Sequence, residues 1–150
     1  MKKITDTRLG FIHYPVGEYI HLNLSTILSY ADIIKKRCEG IPVNLFCTGS
    51  SGAIISGIIA TEIPVTIYHV KKEGEHSHNF TAPKPKDGFN VIVDDFIASG
   101  NTIKYILGKY VEIVKKFDLL IVSQTVCKTD LVEFNKIVPI KSVVAQKFDS

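Results

Sequence analysis

The 150-residue sequence lacks any apolar run of the roughly 20 residues that a membrane-spanning helix takes. Its longest apolar runs, such as Ala53 to Ala60, are far shorter, so no membrane partner is expected. No apolar stretch follows Met1, Lys2 and Lys3. Thr5, Asp6, Thr7 and Arg8 stand there instead, and no secretory leader is expected. Cysteine is scarce. Cys38, Cys47 and Cys127 are odd in number, far apart and in no CxxC pair, which predicts reduced, buried thiols in a cytoplasmic protein. A dominant charge is missing too: 18 basic residues against 15 acidic ones leave +3. That excess is too small to argue for nucleic acid, and it fits equally a pocket that needs local positive charge for an anion. There is no internal repeat and no low-complexity tract. What is present is ordinary globular composition, 45% hydrophobic and 22% charged, which excludes a disordered chain. A chain of this length makes one domain, residues 1–150, with a core large enough to need no disulfide or metal staple.

Residues 8–14 and 18–24 read as short strands around the turn signal Pro15-Val16-Gly17, a predicted hairpin. Residues 25–39 read as a helix with Ile27, Leu28, Ala31, Ile34 and Cys38 on one stripe, Ser25 as cap and Gly40 past the end. Strands and helices then alternate. Pro42 to Cys47 is a strand, Gly49-Ser50-Ser51-Gly52 a tight loop, Ala53 to Thr61 a buried helix, and Pro64 to Val70 the next strand. Residues 71–88 carry no apolar periodicity and read as a long mobile loop, which in a compact domain is usually functional. Phe89 to Asp94 is a strongly apolar strand, and Ile103, Ile106, Leu107, Tyr110, Val111 and Val114 pattern a helix. Asp118 to Val126 is a strand, Leu131 to Asn135 a helical turn, and Ile140 to Ala145 the last strand. Near-continuous Val/Ile strands alternating with helices predict an α/β fold: a central, mostly parallel sheet of about five strands with helices on both faces. In such sheets ligands bind where strands end and helices begin, here after Cys47, Val70 and Val93.

The stretch 91–102, VIVDDFIASGNT, carries the most chemistry. Asp94 and Asp95 end an apolar run and can accept hydrogen bonds from a vicinal diol such as ribose, each worth about 1.5–3 kcal/mol. Ser99-Gly100-Asn101-Thr102 then opens a helix. It offers backbone N–H groups, hydroxyls and the positive end of the helix dipole, a cradle for phosphate. Two blander readings exist. The acids can be a strand-end pair capping the helix, with Thr102 an ordinary first-turn residue. A phosphoacceptor aspartate, as in receiver domains, would want the pair near the N-terminus.

This stretch resembles the PRPP-binding signature of type I phosphoribosyltransferases: an apolar strand, two acids, then an Ala-Thr-Gly-Gly-Thr-like loop. Here that loop is Ala98-Ser99-Gly100-Asn101-Thr102. Ser99 keeps the hydroxyl of the usual Thr, and Asn101 stands where a Gly is common, a residue that still tolerates a left-handed backbone. The resemblance extends over residues of about 25 to 126. It implies the type I phosphoribosyltransferase fold with a minimal N-terminal hood, acting as a cytoplasmic homodimer. It also implies transfer of a 5-phosphoribosyl group from PRPP to a nucleobase, purine or orotate-like, with release of pyrophosphate. Asp94 and Asp95 would hold the ribose hydroxyls, and 98–102 the 5-phosphate. Phe96 and Ile97 would line the base pocket. No protein metal cage is implied, because Mg²⁺ would arrive bound mainly through PRPP.

Two further segments fit the same resemblance. Gly49, Ser50, Ser51 and Gly52 stand where the family grips pyrophosphate through backbone amides, the glycines permitting unusual dihedrals and close approach. Val70-Lys71-Lys72-Glu73-Gly74-Glu75 is similar to the Arg-Lys-x-Gly-Lys segment of the purine enzymes. Lys71 and Lys72 match its first two basic positions, and Lys72 is expected to act at the leaving group. Glu75 stands where that family usually has lysine, and its carboxylate would repel pyrophosphate unless Mg²⁺ intervenes. His76 and His78 lie close by, as solvated loop residues or in the part played by a loop histidine in orotate enzymes. Ala98 replaces the acid that serves as general base in the hypoxanthine branch, so the chain resembles the adenine, xanthine and orotate branches. Phe11, Tyr14 and Tyr19 in the hairpin are either core and dimer contacts or a stacking surface for a flat base. The alternative function is a catalytically silent PRPP- or nucleotide-binding regulatory module, favoured by Glu75 and the small hood. A nucleic-acid binder, resting on Lys84, Lys86, Lys115 and Lys116, is disfavoured by the small net charge.

Overall fold

The computed structural model describes residues 11–13, 21–70, 84–97, 101–110, 112–125, 136 and 138–147. Strands β1 (Phe11–His13) and β2 (His21–Asn23) pair antiparallel, Ile12 opposite Leu22, and form the expected hairpin as a separate two-stranded sheet. Helix α1 (Leu24–Arg37) follows directly. It starts one residue before Ser25, so Ser25 lies in its first turn and is not the cap the sequence suggested. Ile27, Tyr30, Ala31 and Ile34 form its buried stripe, and Lys35, Lys36 and Arg37 sit at the negative end of its dipole.

Then come β3 (Val43–Cys47), α2 (Gly49–Glu62), β4 (Val65–His69), β5 (Phe89–Ile97), α3 (Asn101–Tyr110), β6 (Leu119–Thr125) and β7 (Val143–Lys147). The five strands from β3 onward form one parallel sheet in the order β4-β3-β5-β6-β7. Side chains alternate between its faces, as the pleat requires. Val43, Leu45, Val91, Val93, Leu119 and Ile121 pack under α1 and α2. Phe46, Ile92, Leu120 and Val122 pack with α3 on the other face. This is the α/β architecture expected, with helices on both faces.

Several bounds differ from expectation. Helix α2 begins at Gly49 and not at Ala53, so the Gly-Ser-Ser-Gly run is its first turn and not a separate loop. Strand β5 continues to Ile97 because β6 offers it a ladder that far, with Phe96 opposite Gln124 and Ile97 opposite Thr125. Helix α3 stops at Tyr110; Val114 is buried by the turn that follows, where its N–H reaches the Tyr110 carbonyl at 2.8 Å. The last strand runs from Val143, and Ile140 contributes a single bridge to Phe117. The end of the long 71–88 stretch is anchored: Asn44 Nδ2 donates to the Lys86 carbonyl at 2.7 Å, and the Lys86 N–H to the Tyr68 hydroxyl at 3.3 Å. The helical turn expected at Leu131 to Asn135 lies outside the described residues.

Candidate active site

The strand order reverses at β3. From β3 the chain crosses to β4 on one side, then returns to add β5 on the other. Such a switch point leaves a crevice outside the carboxyl ends of the two flanking strands, here β3 and β5. The segments singled out in the sequence as ligand-holding leave the sheet at this end.

From β3, Cys47 leads into Thr48 and α2. Thr48 takes the N-cap position with extended backbone, φ −144 and ψ 157, yet its side chain makes no capping bond. Gly49 has φ +72, a left-handed dihedral that costs glycine nothing. Ser50 is exposed, Ser51 half-buried, and Gly52 packs onto the sheet. A Cβ on Gly52 would stand 2.9 Å from Cys47 Cβ and 3.5 Å from the Val93 carbonyl, so glycine lets the start of α2 ride close over β3 and β5. The first turn of α2 contains no acidic residue, nor does that of α3. Neither helix therefore offsets the positive end of its own dipole with a carboxylate.

On β5, pairing with β3 ends at Phe46 opposite Ile92, so Asp94 lies beyond the end of β3 while still opposite Val122 of β6. The acid pair therefore ends the strand only on the β3 side. Asp94 is 5% exposed. Asp95, Phe96 and Ile97 continue β5, and their side chains lie outside the described residues. Asn101 opens α3 exposed and Thr102 is half-buried behind it. Ala98, Ser99, Gly100, Lys71, Lys72, Glu75, His76, His78, Tyr14 and Tyr19 lie outside the described residues.

Two groups to which the sequence assigns no part in the site stand beside it. Cys47, fully buried, has its thiol pushed above the ordinary range by burial, with the Asp94 charge adding to the rise and the Ser56 hydroxyl opposing it. A raised thiol pKa favours the folded state at neutral pH and loses that contribution as pH climbs past the ordinary thiol value, where the unfolded chain sheds its proton first. Cys47 should thus resist iodoacetamide in the native protein. Alkaline pH should lower the stability of the wild type more than that of Cys47→Ala, as thermal melts across the alkaline range would read. The second group is the pair Thr48 and His69. Only their residue types were visible in the sequence; what they contact depends on the β3–β4 pairing, Cys47 opposite His69.

Among the described residues no cluster of three or more His, Cys, Asp or Glu side chains is placed to hold a metal ion, and no helix is long and apolar enough to cross a membrane. A cleft of about 340 Å³ opens at the opposite, N-terminal end of the sheet. It is lined by Lys86, Asp87, Lys115, Lys116 and Asp118 among others, so three of the four clustered lysines stand there alongside two carboxylates. That mixed charge does not suit a polyanion such as nucleic acid.

No protein-family model matches the sequence, and no curated protein matches it. Solved structures do. A purine phosphoribosyltransferase from Pyrococcus horikoshii is similar with a TM-score of 0.60 at 15% identity, covering 83% of this chain and 81% of its own. Adenine phosphoribosyltransferase from Saccharomyces cerevisiae, solved with adenine and an imino-altritol bisphosphate, gives 0.57 at 17% identity over 89% of this chain and 93% of its own. The adenine enzyme from Thermoanaerobacter pseudethanolicus gives 0.55 at 18% identity over 95% and 98%. At these identities the likeness is one of architecture, and it shows that the chain has the type I phosphoribosyltransferase fold.

Proposed function

We propose that the chain transfers a 5-phosphoribosyl group from PRPP to a ring nitrogen of a nucleobase, releasing pyrophosphate. The carrying observation is the placement of Asp94, a nearly buried carboxylate just beyond the end of β3, close to the first turn of α2 at the switch point. In a parallel sheet ligands bind outside the carboxyl ends of the strands at such a switch point, so a carboxylate placed there suits a binding role. The structural neighbours whose names specify purine or adenine substrates support the same reading.

In this reading Asp94 and Asp95 accept hydrogen bonds from the ribose hydroxyls and lie near the positive charge that develops on the ribose as the bond from C1′ to pyrophosphate breaks. Residues 98–102, opening α3, cradle the 5-phosphate, and Gly49, Ser50, Ser51 and Gly52 hold the pyrophosphate at the start of α2. Lys71 and Lys72 cover the leaving group, and Phe96 and Ile97 flank the base. The base nitrogen forms the new bond to C1′, and its proton passes to solvent. Mg²⁺ arriving with PRPP would offset the charge of the pyrophosphate, and such a metal takes only one or two carboxylates from the protein. The same reading makes the protein a cytoplasmic homodimer, which sedimentation equilibrium tests.

The experiment is pyrophosphate release from PRPP and Mg²⁺ with adenine, guanine, hypoxanthine, xanthine, uracil or orotate in turn. Release with one or more bases is the expected result. PRPP binding without release on any base would select the regulatory module instead, the reading that Glu75 in place of lysine favours. No binding of PRPP at all would overturn both.

A further inference from the structure

We infer that Thr48 and His69 are positioning residues: they lock the first turn of α2 to the end of β4, and so fix how that turn presents its N–H groups to an anion. This rests on the proposed reading of that turn as the pyrophosphate grip. Three bonds make the lock. The Thr48 hydroxyl donates to the Val70 carbonyl at 2.5 Å, the Val70 N–H donates to the Cys47 carbonyl at 2.7 Å, and His69 Nε2 lies 3.1 Å from the Gly49 carbonyl. A carbonyl only accepts, so Nε2 carries the proton in that contact. Thr48 is 5% exposed and Val70 2%, so the first two bonds are shielded from water, where a lost partner is not readily replaced.

The geometry has two consequences for an anion. A threonine at an N-cap ordinarily spends its oxygen on an N–H of the first turn. Here the Thr48 side chain is turned away to Val70 and makes no such bond, so it leaves those donors to a ligand. The peptide after Gly49 is trans, so drawing its carbonyl toward His69 turns the Ser50 N–H to the opposite side, away from β4. The 5-phosphate cradle, which follows β5, shares none of these bonds.

That separation supplies the test. Calorimetry with Mg²⁺-pyrophosphate and with ribose 5-phosphate should show both binding to the wild type. Thr48→Val keeps the shape and removes the donor. It should weaken pyrophosphate about tenfold, as the loss of one well-placed bond does, and leave ribose 5-phosphate within about twofold. Thr48→Ser should restore pyrophosphate binding. His69→Ala, at an exposed position that the fold tolerates, should weaken pyrophosphate several-fold with the same selectivity. If Thr48→Val and His69→Ala leave pyrophosphate binding unchanged, or weaken both ligands alike, the lock is overturned while the transfer reading stands. A wild type that leaves pyrophosphate unbound overturns the lock, while the transfer reading is decided separately by pyrophosphate release from PRPP.

Discussion

Phe46→Ala should cost about 3–5 kcal/mol of stability and lower the melting temperature by roughly 10 °C. Phe46 is fully buried on β3, one residue before Cys47. Its ring stacks on Tyr68 of β4 at 5.1 Å and meets Tyr110 of α3 edge-on at 4.9 Å and Phe117 edge-on at 5.1 Å. One side chain thus joins two strands, a helix and the turn into β6. Truncation removes the apolar transfer term, leaves a cavity and breaks three aromatic pairs at once. The loss should also reach the site, because the partner strand β4 sets where Val70 meets Thr48. Phe46→Leu, which keeps most of the volume, should recover more than half of the stability. A Phe46→Ala protein that melts within about 2 °C of the wild type would show that the second core does not depend on this ring.

The parallel sheet was legible because its signal is local and redundant. The runs at β3 and β5 are apolar at nearly every position, as strands covered on both faces must be, and the intervening helices carry their own stripes. The switch point was legible only as a place, since strand order is a non-local property. Where expectation failed, a distant partner made the decision. Gly49-Ser50-Ser51-Gly52 looks the same as a loop or as a helical first turn, because first-turn N–H groups lack intrahelical partners either way. Gly52 lets that turn lie close over Cys47 and Val93, a contact that exists only once the sheet has assembled. Asp94 reads as a strand end from the change in residue type, yet β6 carries the ladder on to Ile97. The Thr48–Val70 bond spans 22 residues and could not be seen before the register of β3 on β4 was known.

Asp94→Asn separates binding from folding most sharply. The substitution keeps the side chain's shape and removes a charge from a position that is 5% exposed. If the carboxylate serves only the fold, by capping or by ion pairing, its neutralisation should lower the melting temperature. If it serves the ribose of PRPP, its neutralisation should cost binding far more than it costs the melting temperature of the ligand-free protein. A hydrogen bond to a charged acceptor is worth about 1.5–3 kcal/mol, so PRPP affinity in the presence of Mg²⁺ should fall by roughly one to two decades. The two melting curves carry the answer together. Saturating PRPP should raise the wild-type melting temperature by mass action, and the same concentration should raise that of Asp94→Asn far less. Turnover, where a base supports it, should fall further than affinity, because the carboxylate faces more positive charge in the transition state than in the bound substrate. An Asp94→Asn protein that melts early without ligand and still binds PRPP as tightly as the wild type would return Asp94 to the fold and take the ribose away from β5.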